Sequence, residues 1–362
     1  MPYKSLELSV IPYNEMWIDC VNNNLMGILM ANNSSYQALP CSINMNYSLT
    51  FPQEAYFNPE MPRSSKLEKG VFVPNLTYEV PSMDMWLAKT NINLTLTTID
   101  PFEMIYDELL KGNYLFVDLD RFYFPGGVDY QKNHNLHPSF IYGFDCLTEN
   151  YLLIEDCVQP GKFEPYQLHK KELEISFIAA QTSEKSEVIS YTLLPEAKMD
   201  YRLDLDKVIS NLKNMLSNDK SPLNQMETNG VSLWSIKGIS CLKLFSKYMD
   251  IIFPQIRKWD QKHLIALTLP SQMQKRNLRL LTFLEEMGAI NSMYKILLEQ
   301  EYISLNESWE KYRHKIYKYI VTRKEFPEIS ESNNYFKNVK NELYDMANNE
   351  ERVTKFLLDI LS

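Results

Sequence analysis

The sequence has no cysteine framework, no long apolar run and no glycine-rich phosphate motif. Its five cysteines (Cys20, Cys41, Cys146, Cys157 and Cys241) are an odd number, and no two are spaced as CxxC. That excludes a disulfide scaffold of the small secreted type, and each thiol is by default a small buried hydrophobe. No apolar stretch approaches the roughly 20 residues needed to cross a bilayer. The opening MPYKSLELSV lacks the basic patch and apolar core of a secretory leader. A cytoplasmic protein with no membrane partner is expected, in which the Asn-x-Ser/Thr matches at Asn46 and Asn75 are accidents of an Asn-rich chain. No GxGxxG or Walker sequence occurs, and Pro125-Gly126-Gly127 is too short to cradle a phosphate. Repeats and low-complexity tracts are also missing, so no bound cofactor is expected.

Positive charge is scarce in one half. Residues 1–200 hold 13 Lys and Arg against 26 Asp and Glu, a net of −13, and the remainder holds 24 against 20, a net of +4. An acidic half joined to a mildly basic one points to two domains with different partners and argues against nucleic-acid binding by the first. With 362 residues, 45% of them hydrophobic, the chain can bury one large core or two moderate ones.

What is present supports an α+β domain over 1–200 and an all-helical domain over 201–362, with the boundary falling within 198–220. CVNNNLMGILMA (20–31) reads as a helix in spite of its asparagines, which are poor helix formers. NINLTLTTID (91–100) alternates as a strand does. DPFEMIYDELLKG (100–112) is a punctuated helix, with Asp100 as N-cap, Pro101 in the first turn, Glu103 as capping partner and Gly112 at the end. NYLFVDLDRFYF (113–124), PSFIYGFD, YLLIEDC and KSEVISYTLLP (185–195) read as further strands. After residue 200 apolar residues recur at three- and four-residue spacing in LDKVISNLKNMLSN, VSLWSIKGISCLKLFSKYMDIIF, RNLRLLTFLEEMGAINSMYKILLEQ, LNESWEKYRHKIYKYIVTRK and the closing segment.

One stretch carries chemistry: YQKNHNLHPSFIYGFDCLTENYLLIEDC (130–157) sets a histidine at a strand entrance and acids at the exit of the next strand. An acid that fixes an imidazole's tautomer leaves the ring able to take or give a proton. His137 is the candidate base. Alternation places Asp156 with Leu152 and Ile154, and Glu155 with Tyr151 and Leu153, so either carboxylate can be the orienting acid. The partner should be a nucleophile at a helix start, where the dipole favours the anion. Cys20 meets that requirement, and Asn14, six residues earlier, could donate to an oxyanion together with the Cys20 backbone N–H. Cysteine first, histidine much later and an acid after it is the order of a papain-like site.

The Cys20 helix, NYLFVDLDRFYFP and HPSFIYGFD…YLLIEDC together resemble the papain-fold cysteine acyltransferases of antibiotic biosynthesis, of butirosin type. These are relatives of the double-glycine bacteriocin-processing peptidases. The amide-forming papain-like enzyme of closthioamide assembly is similar. The likeness spans residues 10–200 and is looser in the helical half. It implies a papain-like cysteine-protease fold, an N-terminal helix plus antiparallel sheet, and gives the base role to His137 and the acid role to Asp156. It also implies a thiolate at Cys20 paired with a protonated His137. That thiolate would take an acyl group from a thioester on the phosphopantetheine arm of an acyl or peptidyl carrier protein and pass it, as S-acyl-Cys20, to a small amine. The acidic first domain favours a cationic acceptor such as a polyamine or an amino sugar. Asn14 stands where the peptidases have Gln, and Val21 where they have Gly after the nucleophile; both departures weigh against proteolysis. Other readings are a cysteine peptidase or amidase, and a non-catalytic papain-like module binding a carrier or peptide.

Rivals to these residues are few. His134 is a substrate contact or an exposed loop residue, and Asp145 is a turn residue. His134, His137, Cys146 and Cys157 do not match structural zinc spacings. His169, His263 and His314 read as surface or helix residues. Lys275, Arg276 and Arg279, and Lys311, Arg313, Lys315 and Lys318, read as solvated helix faces or as a dock for an acidic carrier protein.

Overall fold

The computed structural model describes residues 4–52, 74–92, 100–182, 187–228, 231–252, 261–325 and 333–362. In chain order the strands are β1 (Leu6–Glu7), β2 (Asn44–Pro52), β3 (Asn75–Glu79), β4 (Leu87–Ile92), β5 (Tyr114–Asp120) and β6 (Leu136–Asp145). They continue with β7 (Asn150–Glu155), β8 (Glu164–His169), β9 (Val188–Leu193), β10 (Lys220–Thr228) and β11 (Val231–Lys237). The α-helices are α1 (Cys20–Asn32), α2 (Pro101–Leu110), α3 (Lys170–Gln181), α4 (Leu205–Leu216), α5 (Ser240–Ile252), α6 (Gln261–Glu286), α7 (Ser292–Glu325) and α8 (Asn333–Leu361). The protein is mixed α+β, with antiparallel sheets and a helical C-terminal region. It divides into two compact units, Met1–Leu39 with Pro81–Arg202 and Pro40–Val80 with Leu203–Ser362. Residues 40–80 thus interrupt the first unit, and neither unit is one continuous stretch of chain.

In the first unit an antiparallel sheet runs in the order β4-β9-β5-β6-β7-β8, with β1 pairing to β6. The alternating pattern of the strands sorts their side chains into two faces. Leu115, Val117 and Leu119 of β5, Ile141 of β6 and Leu153 of β7 pack with Ile105 and Leu109 of α2 and Leu173 and Phe177 of α3. From the other face Phe116 meets Phe140 at 5.0 Å between ring centroids. On that side, too, the Tyr114 hydroxyl accepts from the side chain of Asn32 in α1. The helices therefore cover both faces: α2 and α3 one, α1 the other.

The asparagines of α1 have a use that propensity does not foresee. Asn23, buried, accepts from the backbone N–H groups of Ile18 (2.9 Å) and Asp19 (3.2 Å), and its amide donates to the carbonyls of Tyr13 and Met16. One side chain thus serves four backbone groups of the loop leading to Cys20. Gly27 has a similar rationale. A Cβ there would stand 2.3 Å from the Ile11 carbonyl oxygen, so the preceding strand-like segment can lie on the helix only because the position is glycine. Asp100 caps α2 through Phe102 N–H at 2.9 Å, with Pro101 in the first turn. The alternating run 91–100 lies largely outside the described residues beyond Ile92. The apolar run 113–124 is a strand only to Asp120, followed by a 3-10 turn, Arg121–Tyr123.

The second unit is not all-helical, contrary to the expectation for 201–362. Residues 220–237 form the β10–β11 hairpin, and with β2 and β3 it makes a sheet in the order β10-β11-β2-β3. The helical reading of VSLWSIKGISCLKLFSKYMDIIF passes over Gly238, which has φ +88° and whose Cβ would meet the Ser217 carbonyl oxygen at 2.1 Å. The chain turns there. Leu233 and Ile236, ahead of it, pair with Pro52 and Leu49 in β2, while α5 starts behind it. In the same way the run 276–300 is two helices, broken between Glu286 and Ser292 at Gly288, φ +75°. Val208 and Leu212 of α4, Leu280 and Leu284 of α6, Leu298 and Leu305 of α7, and Val353 and Leu357 of α8 share one core cluster. Within this unit lies a buried carboxylate, Glu350, which accepts from Tyr47 (2.9 and 3.1 Å) and from Trp309 Nε1 (3.1 Å).

Candidate active site

Asp19 caps α1, accepting from Asn22 N–H at 2.7 Å, and this makes Cys20 the first residue of the helix. The helix N-terminus should lower the thiol's pKa. The opposite prevails. Burial, then the negative charge of Asp19, and then those of Asp156 and Glu155 push the Cys20 thiol up to about 11, against the opposing backbone hydrogen bond. A helix terminus contributes at most about 1–2 kcal/mol, and three carboxylates with partial desolvation outweigh it.

His137 enters β6 opposite Leu119 of β5, and Ser139 stands opposite Val117. Burial and, after it, the Arg121 guanidinium lower the His137 imidazole to about 4, while Asp156 acts the other way. Both shifts favour a neutral thiol and a neutral imidazole over the ion pair that the resemblance implies. The charges that flank them come from a buried cluster. Arg121 Nη2 donates to Glu155 Oε2 and, at 2.6 Å, to Asp156 Oδ1. Glu155 Oε2 also lies 3.9 Å from His137 Nδ1. Asp156 Oδ2 accepts from Gly161 N–H at 3.0 Å. Ser139 is close enough to Glu155 to favour its charged form, yet the pair makes no hydrogen bond of ordinary geometry.

No family model matches the chain, and no curated protein matches it.

Arg121 is the residue that sequence reasoning missed. It follows the apolar strand in a 3-10 turn and is pinned there: its N–H donates to Asn135 O at 3.0 Å, and Phe124 N–H donates to its carbonyl at 3.1 Å. Asp120 secures the same turn, accepting from Phe122 and Asn135 N–H. The signal was the charged Asp-Leu-Asp-Arg at the end of YLFVDLDR, where a buried strand should have stayed apolar.

The other predicted residues are placed as follows. Asn14 is clamped to the backbone of Phe163: its amide donates to the carbonyl at 2.8 Å and its oxygen accepts from the N–H at 2.7 Å. Only its second amide hydrogen remains for an oxyanion. His134 is exposed, stacks on Phe122 with centroids 4.3 Å apart, and pairs with Asp120 at 2.6 Å. Asp145 holds the β6–β7 turn through Leu147 N–H and the Thr148 hydroxyl. All five cysteines are free thiols. Among the described residues no group of three or more His, Cys, Asp or Glu could hold a metal ion, and no helix is long and apolar enough to cross a membrane. In the second unit Arg276 is buried and reaches Ile43 O, whereas Lys311, Arg313 and Lys315 pair with Glu307, Glu310 and Glu342. The second run is therefore largely neutralised by glutamates.

Proposed function

We propose that the first unit is a papain-like cysteine acyltransferase that forms an amide from a carrier-bound thioester. The supporting observation is that one carboxylate, Asp156, acts electrostatically on both Cys20 and His137, side chains 117 positions apart in sequence. A nucleophile and a base that share one charged neighbour are the elements of covalent acyl transfer.

The resting state sets the mechanism. With the thiol neutral, Cys20 attacks the thioester carbonyl as His137 removes its proton, so the imidazole is a general base. The oxyanion is met by the Cys20 N–H and the uncommitted amide hydrogen of Asn14. The phosphopantetheine thiol leaves with the proton from His137, giving S-acyl-Cys20. An amine then attacks, His137 takes the amine's proton, the amide forms and the Cys20 thiol is restored. A thioester suits a weakly acidic thiol better than a peptide does, because it is already activated. The acidic first unit favours a cationic amine. The high thiol pKa favours one second reading, a non-catalytic module that binds a carrier or peptide.

Incubation with an acyl thioester and analysis by intact-protein mass spectrometry separates these readings. Acyl transfer predicts an adduct absent from Cys20→Ala, and amide on addition of a diamine. Free acid alone indicates a hydrolase. No adduct indicates the binding module.

A further inference from the structure

Of the two neighbouring carboxylates, Glu155 is the last residue of β7 and Asp156 lies just beyond it. Pairing of Phe140 with Ile154 and Ile141 with Leu153 brings Ser139, one step further along, opposite Glu155. His137 and Ser139 face the same way along β6, so His137, Ser139 and Glu155 share one face of the sheet, whereas Asp156 lies just past the end of β7. Asp156 is also occupied at both oxygens, Oδ1 by Arg121 and Oδ2 by Gly161 N–H. Its place is at the root of the turn that runs on to Gly161, whose φ is +80°.

Glu155 is differently disposed. It is 3% exposed, and only its Oε2 is hydrogen-bonded, to Arg121. Oε1 is buried with no hydrogen-bond partner among the described residues, and so is His137 Nδ1. The oxygen 3.9 Å from Nδ1 is Oε2, which Arg121 already holds, and the buried Ser139 hydroxyl is the unmatched group nearest in register to Oε1. Leaving Nδ1 unsatisfied costs free energy that a small movement of the ring toward Oε2 would recover. Catalytic hydrogen bonds are often long before substrate binds and tighten afterwards.

We propose that Glu155, rather than Asp156, is the positioning carboxylate for His137, and that Arg121 fixes Glu155 while Asp156 holds the following turn. The inference rests on the reading of His137 as the base. A proton on Nδ1, donated to Glu155, leaves the Nε2 lone pair as the acceptor of the Cys20 proton. Arg121 binds the carboxylate from the other side and prevents it from swinging away, a use for which a planar, always charged guanidinium is suited. Sequence alternation had left the two acids equal. The structure distinguishes them by what each already holds.

The tautomer of His137 tests this directly, read in full-length protein carrying ¹⁵N-histidine. The wild type is expected to show the Nδ1–H form. Glu155→Gln should shift it toward Nε2–H and slow S-acylation by roughly 100-fold, and Asp156→Asn should leave the tautomer unchanged. Glu155→Asp, which keeps the charge but withdraws it by one methylene, gives the same readout if the glutamine variant does not fold: a weakened Nδ1–H signal in an otherwise native spectrum. Arg121→Lys should weaken that signal partly. An Nδ1–H signal lost in Asp156→Asn but kept in either Glu155 variant, or an Nε2–H wild type, overturns the proposal. The proposed function fails separately: if wild type gives no adduct while the tautomer follows Glu155, the orienting pair stands and the acyltransferase does not.

Discussion

Glu155 Oε2 stands 3.9 Å from Nδ1 of His137, while the same oxygen receives a hydrogen bond from Arg121. One buried carboxylate oxygen thus faces both the imidazole and the guanidinium. Burial and the cation together favour the neutral ring, and burial followed by the neighbouring acids favours the protonated Cys20 thiol. The account is one of a neutral pair activated on attack.

Cys20 should therefore alkylate slowly at neutral pH. Its reaction with iodoacetamide, followed at the Cys20 peptide by mass spectrometry, is expected to rise toward about pH 11. A plateau already reached by pH 7 would instead reveal a thiolate–imidazolium pair.

Asn14 should matter to stability as well as to chemistry. Asn14→Ala removes both bonds to the Phe163 backbone and is expected to cost about 1–2 kcal/mol, measured by denaturant unfolding. Unchanged stability with lost acylation would make Asn14 purely an oxyanion donor.

Gly27 should tolerate no side chain. Alanine at this helical site would gain about 1 kcal/mol in propensity, but its Cβ would lie 2.3 Å from Ile11 O. The clash is expected to dominate, with a net loss of about 1–3 kcal/mol. An unfolding midpoint equal to or above that of wild type contradicts the close approach.

The second unit should lose stability as pH rises. Burial pushes Glu350 up to about 7, against the hydrogen bonds from Trp309 and Tyr47. The folded form holds a proton that the unfolded chain, titrating near 4.5, has released. Stability is therefore present in full below about pH 4.5 and is lost as pH rises through about 7, by an amount on the order of 3 kcal/mol. Glu350→Gln should flatten this slope. For His137 the sign is opposite: its folded pKa lies below the ordinary 6.5, so the first unit should weaken as pH falls from about 6.5 toward about 4.

Much of this was legible in the sequence, for reasons that particular residues make clear. Asp100 and Pro101 announced α2 because a cap and a first-turn proline act locally, within the segment itself. Cys20 was placed at the start of its helix, and His137 at a strand entrance, from periodicity alone. The β10–β11 hairpin was hidden because its apolar residues lie three apart, at Leu233 and Ile236, and only pairing with β2 makes them a strand. Helix α3 and strand β8 carry mixed patterns, with polar ends and a core that emerges only against β5 and β7. At the site, alternation could not choose between Glu155 and Asp156. The choice depends on Arg121 and Gly161, which approach through the tertiary fold.

The most direct test of the central claim is tandem mass spectrometry of the Cys20 peptide after a brief incubation of the full-length protein with an acyl thioester. The account predicts an acyl group on Cys20 Sγ that hydroxylamine removes, and none on that peptide when His137 is replaced by alanine. Acylation spread over Cys146 and other thiols, with Cys20 bare or indifferent to His137, would contradict it.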